Sequence, residues 1–335
     1  MGFVQGIGIF LSEEEQMEKR YIAFWNLENL FDVEDSPRRS EKLQRTIGGE
    51  LRGWDEATLN NKVQQLAKVI RAMNYSQGPD LLGVCEVENT YVLNLLANAV
   101  AQEGAMYDVV HHDMHDNRGI DVAFLVKRGQ FAPGQTFSHE ILKRSATRDL
   151  FQVNLTTNQD INLIVIGNHW PSRSGGKYLS EPYRMMAGET LAYFHERIQS
   201  IYGNDVAVLA MGDFNDEPFD QSLTDYALSE RNENKVLNAR SPKFLNLMWD
   251  ILGQSEATYY YQNSPNLLDQ FLVSKGLVST HSGIRANPDS VHIVRYPGLV
   301  EEGDYPVPIP FGRKDSVNVN GFSDHSPVAM ELEIL

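Results

Sequence analysis

The apolar positions of this chain fall into two rhythms. Mostly apolar runs of strand length occur over residues 21–25, 81–87, 120–126, 206–211, 267–273 and 328–334, as expected of strands covered on both faces. Runs over 150–155 and 161–167, joined by the polar stretch 156–160, read as a hairpin pair. Between them Leu59, Val63, Leu66, Ile70 and Met73 recur at helical spacing, which predicts a helix over 57–73 ended by Gly78-Pro79. A second helix is predicted over 91–101, capped by Asn89 or Thr90, and a third over 184–201 with Met185, Leu191, Phe194 and Ile198 on its apolar side. Residues 286–322 hold five prolines and little periodicity. They predict a long loop or lid that, with Ser174-Gly175-Gly176, overhangs the functional site. No repeat and no linker interrupts the alternation, so the expected organisation is a short tail over 1–20 and one α/β domain over 21–335.

The way the strands stop carries the chemistry. The run ending at Met211 gives way abruptly to Gly212-Asp213-Phe214-Asn215, as when a buried strand delivers polar groups to a sheet edge. Gly212 permits a turn or a close approach. If extended geometry persists, Asp213 and Asn215 project to one face. Other strand ends repeat the theme with Asn26, Glu86, Asp121, His169, Asp269 and the pair Asp324-His325. Oxygen donors without thiolates suit Mg²⁺ or Mn²⁺. Histidine beside aspartate suits proton handling. The run from His111 to Asp116, with His115 inside it, resembles a metal site at first sight, but its setting before Arg118-Gly119 reads as a solvated loop.

Composition narrows the partners. The net charge is −16, from 45 acidic and 29 basic residues, which argues against a scaffold for long nucleic acid but not against an enzyme touching few phosphates. Cys85 is the single cysteine, so no intrachain disulfide forms. No apolar run reaches the roughly eighteen residues of a membrane span. The first twenty residues lack the basic and cleavage regions of a secretory signal, and a soluble monomer, cytoplasmic or exported, is expected.

In order along the chain stand WNLEN (25–29), CEVEN (85–89), RGIDVAFL (118–125), NHWPSR (168–173), GDFNDEP (212–218), LLDQFLVS (267–274) and SDHSP (323–327). This set resembles the endonuclease/exonuclease/phosphatase superfamily, and it spans nearly the whole sequence. The resemblance implies a four-layer α/β/β/α sandwich of two mixed β-sheets. It implies Glu86 as the principal ligand of Mg²⁺ or Mn²⁺, supported by Asn26 and Asp324, with His169, Asp213, Asn215, Asp269 and His325 as catalytic groups. Asp269 would pair with His325. Arg118, Arg173 and Arg184 are expected as phosphate clamps without counterparts across the superfamily. The expected activity is metal-dependent phosphodiester hydrolysis, with nucleic acid as substrate. A small or lipid phosphoester is the alternative, and a catalytically silent binding protein is the alternative of another class.

Overall fold

The strands are apolar on both faces because both faces are covered. The computed structural model describes residues 17–101, 105–114, 116, 118–142, 147–254 and 257–335; His115 and most of the 1–20 tail therefore lie outside the described residues. The strands run, in chain order, β1 (Lys19–Leu30), β2 (Leu81–Val87), β3 (Tyr107–His111), β4 (Asp121–Lys127), β5 (Phe131–His139), β6 (Leu150–Thr157), β7 (Asn162–His169) and β8 (Ala207–Asp213). They continue as β9 (Ser229–Glu230), β10 (Phe244–Asn246), β11 (Tyr259–Tyr261), β12 (Ser264–Asn266), β13 (Asp269–Ser274), β14 (Ile284–Ile293) and β15 (Val328–Ile334). One sheet has the order β14-β15-β1-β2-β4-β3 and the other β5-β6-β7-β8-β13-β10-β9. Both are mixed: β1 pairs parallel with β2 and antiparallel with β15, while β8 pairs parallel with β7 and antiparallel with β13.

Period-two alternation sorts each strand between two apolar layers. Ile22 and Phe24 of β1, Leu163 and Val165 of β7, and Leu209 and Met211 of β8 meet in the core between the sheets. Helix α1 (Glu41–Ile47) follows β1, and Tyr21, Ala23 and Trp25 face away from the inter-sheet core, onto α2 (Glu56–Ser76) and α3 (Thr90–Val100). Ile164, Ile166, Val208 and Ala210 pack on α4 (Lys177–Tyr202) through Ala187, Leu191 and Ile198. The result is the α/β/β/α sandwich. Glycine lets the sheets close: a Cβ at Gly167 would stand 2.5 Å from Val122 Cγ1 and 2.9 Å from Phe124 Cζ.

Local signals set the helix starts. Asp55 accepts from Thr58 N ahead of α2, and Asn89 accepts from Val92 N ahead of α3. Helix α4 begins at Lys177 rather than at residue 184, accommodating Pro182 inside it.

The long-loop expectation for 286–322 needs correction. Its first part belongs to the edge strand β14. The remainder does not overhang the cleft described below: Leu299 and Phe322 pack with the α2–α3 layer, and Phe311 packs with Phe31, Trp54 and Ile120. The wall expected there is supplied instead by the β11–β12 hairpin, which sequence reasoning missed.

Candidate active site

Three neighbouring strands set the central row. Parallel register puts His169 beside Asp213, and antiparallel register puts Asp269 on the other side of Asp213. Gly212 serves close approach: a Cβ there would lie 2.2 Å from the Asn168 carbonyl oxygen. Asn215 departs from the extended geometry expected of it. Its φ is +52°, it donates from its N–H to Asp213 Oδ1 (2.9 Å), and its Nδ2 donates to Trp170 O (3.1 Å). Both side chains still line one cleft of about 560 Å³.

The opposite sheet contributes through paired irregularities. After Asn26, β1 bulges, with Glu28 and Asn29 at positive φ, and Glu86 in β2 is also at positive φ. These are sparsely populated conformations for side-chain-bearing residues, and they cluster where function re-aims side chains. Asn26 Nδ2 donates to Asp213 Oδ2 (3.1 Å), and Asn29 N donates to Glu86 Oε2 (3.0 Å). Asp324 lines the same cleft; burial pushes its carboxyl up, with the Glu86 charge adding to the effect against the pull of His325.

The two imidazoles sit in opposite fields. Asp269 Oδ2 lies 2.7 Å from His325 Nδ1. Burial alone would disfavour the imidazolium, but the charge and hydrogen bond of Asp269, with Asp213 behind, hold His325 well above the usual histidine range. His169 Nε2 lies 3.6 Å from Glu86 Oε1 and 3.8 Å from Asp213 Oδ2. Burial, joined by the positive charges of Arg148, Arg118 and His325, drives its pKa well below the ordinary value. The surroundings thus favour the charged form of His325 and the neutral form of His169. Burial also pushes the Asp213 carboxyl up, Asp269 adding to this and His325 opposing it.

The donor set fits a hard divalent cation. Glu86, Asp324 and the Asn26 amide offer oxygen, and the carboxylates of Glu86, Asp213 and Asp324 line one cleft. Asp213, Asp269 and His325 also each present an atom within 4.8 Å of the others. There, however, Asp269 Oδ2 is already engaged by His325 Nδ1, and that trio suits proton transfer.

The arginines divide. Arg118 lines the cleft, half-exposed, its Nε 3.8 Å from Asp116 Oδ1. Arg173 also lines it, yet its guanidinium is occupied: Nε donates to Asn215 O (2.7 Å), Nη1 to Asn266 Oδ1 (2.9 Å), and Nη2 to Asp220 (3.0 Å) and Asp216 (3.3 Å). It braces Asn215 against the β11–β12 hairpin. The phosphate-clamp expectation for Arg184 is corrected: fully buried, it pairs with Asp216 at 2.7 Å and donates to Ser180 Oγ and the Lys177 carbonyl. It does not line the cleft.

Sequence reasoning missed other participants. Arg148, fully buried, donates to the carbonyls of His169 (3.2 Å) and Trp170 (2.9 Å) and pairs with Asp116 (3.3 Å), so it ties His169 to the loop carrying Arg118. Tyr259 and Tyr261, two apart on β11, line the cleft; Tyr259 lies against the His325 ring with centroids 4.8 Å apart. Asp121 does not join the cleft. It accepts from Met114 N and lies 2.9 Å from His111 Nε2. With Asp113 these form a second His/Asp grouping, less solvated than a free loop, whose ring nitrogens are already engaged by Asp121 and Thr90.

The sequence relationship can now be set beside the geometry. The model of the Endonuclease/Exonuclease/phosphatase family matches residues 21–334. The chain belongs to that family. Compared sequence against sequence, no curated protein matches it. Among solved structures, an endonuclease/exonuclease/phosphatase family protein from Bacteroides thetaiotaomicron superposes with a TM-score of 0.56 at 13% identity, over 96% of this chain and 99% of that one. The mannosyl-6-phosphatase Bt3783 from Bacteroides thetaiotaomicron VPI-5482 gives 0.56 at 13%, over 93% and 99%. Truncated Caenorhabditis elegans TDP2 gives 0.55 at 13%, over 95% and 98%. At such identities the likeness shows the shared sandwich. Among the described residues no helix is long and apolar enough to cross a membrane.

Proposed function

We propose that this family member hydrolyses phosphodiester bonds with a divalent cation, Mg²⁺ or Mn²⁺, and that nucleic acid is its substrate. The observation that carries the reading is the meeting of His169, Asp213 and the Asp269–His325 pair with Glu86 and Asp324 in one cleft. Glu86, Asp324 and Asn26 would hold the cation, which supplies Lewis-acid neutralisation of phosphate charge. His325, kept protonated by Asp269, donates to a phosphate oxygen. Asp213, its basicity raised by burial and its oxygens aimed by Asn26 and Asn215, takes the proton of the attacking water. Tyr259 and Tyr261 offer aromatic faces for a nucleobase.

One observation favours a compact phosphoester instead. Of the cleft's cationic side chains, Arg173 and Lys177 are both engaged by Asp220, leaving little unpaired positive charge for a long polyanion. A panel of single-stranded DNA, RNA, bis-p-nitrophenyl phosphate, sugar phosphates, inositol phosphates and sphingomyelin, each with and without EDTA, decides between the two. Nucleic-acid cleavage abolished by EDTA and restored by Mg²⁺ is expected. Turnover confined to small or lipid esters would transfer the assignment to them, and activity indifferent to EDTA would remove the cation from the mechanism.

A further inference from the structure

Lys62 lies outside every sequence motif, on α2, with no exposure to solvent. A buried ammonium is costly unless charges and acceptors surround it. Its Nζ donates to the Phe322 carbonyl at 2.9 Å and to the Glu28 carbonyl at 3.2 Å, and it lies 3.6 Å from Glu28 Oε2. The two carbonyls belong to the two segments that build the cation site. Phe322 precedes Ser323-Asp324-His325, while Glu28 sits in the β1 bulge between Asn26 and Asn29, whose N–H holds Glu86. Glu28 in turn accepts from the N–H groups of Phe311 and Gly312, so the 295–322 loop is fastened to the same point. Burial pushes the Lys62 pKa down, and the charges of Glu28, Asp324 and Glu86 oppose that.

We propose that Lys62 is the internal counter-ion of the cation site: lying between the β1 bulge and the 322–325 segment, it offsets the Glu86–Asp324 charge when no divalent cation is bound. The inference rests on Glu86 and Asp324 as cation ligands. A residue needed only for packing would stabilise the metal-free and metal-bound protein alike. A counter-ion stabilises chiefly the metal-free form, because the bound cation takes over its task, and by linkage it must weaken metal affinity.

The test is Lys62→Met in the full chain, read by thermal unfolding with EDTA or saturating MgCl₂ and by calorimetric titration with Mg²⁺. The expected result is a Tm loss of several degrees in EDTA, mostly recovered in MgCl₂, and a Kd for Mg²⁺ tightened about three- to tenfold by removal of a nearby positive charge. An equal Tm loss in both conditions, or a Kd unchanged or weakened, overturns the proposal. Should Lys62→Met fail to fold, Glu28→Gln tests the opposite sign. Glu28 is not assigned as a ligand, yet loss of its charge leaves Lys62 unopposed and should weaken Mg²⁺ binding by a similar factor, whereas an unchanged Kd overturns the idea. Wild-type protein that binds no Mg²⁺ would overturn the cation reading itself, and this inference with it.

Discussion

At the scale of single residues, the site works by giving like side chains unlike surroundings. His325 faces Asp269 at 2.7 Å with Asp213 beyond, which holds its pKa up, whereas burial and nearby positive charges push that of His169 down. Asp269→Asn keeps the shape but removes the charge that raises the His325 pKa. The imidazole then loses its proton at lower pH, so the alkaline limb of the pH–rate profile should move downward, and turnover at neutral pH should fall by about 10²-fold or more. Adding His325→Ala should cost little further, as for groups acting as one unit; multiplying losses in the double variant would separate the pair. Polar residues ending an apolar run were legible in the sequence because packing alone gives them no reason to be there. Lys62, Arg148 and Arg184 were not. Their charges say nothing about the carbonyls and carboxylates, such as Asp216, that fold around them.

At the scale of elements, legibility followed periodicity. The central strands and the main helices were readable because two covered faces demand mostly apolar runs and α2 demands a 3.6-residue repeat, whereas β3 and β5, farther out in their sheets, were not read. Strand β14 escaped because it is an edge strand with only three of its ten residues buried, and it carries Pro288. The β11–β12 hairpin escaped because three residues a side leave no alternation to detect. The close fit between sheets was equally silent, and it is testable. Gly167→Ala places a methyl 2.5 Å from the branched Val122 side chain, so the sheets must part locally. A loss of about 1–3 kcal/mol is expected for such overpacking, measured by denaturant unfolding; an unchanged midpoint would mean that the core yields there.

At the scale of the whole molecule, the loop after β14 is a buttress rather than a gate. Its tip closes at the bridge between Val300 and Pro308, and the loop joins the helical layer through Leu299 and the β1 bulge through Glu28. Deleting residues 302–305 should therefore leave the ranking of substrates and the KM values unchanged, as steady-state assays across the substrate panel would check; a changed ranking would return the loop to the cleft. The pairing of β1 with β15, Lys19 opposite Glu333, has a consequence for synthesis. On a ribosome adding about 5–20 residues per second, β1 emerges on the order of 15–60 s before the strand that covers one of its edges. Until then the nascent chain carries an open apolar edge, a template for pairing with a neighbouring chain. Asp324 and His325 arrive just ahead of that covering strand. The cleft is completed and this edge of β1 is covered in one step, so a chaperone that shields the waiting strand also guards the assembly of the site.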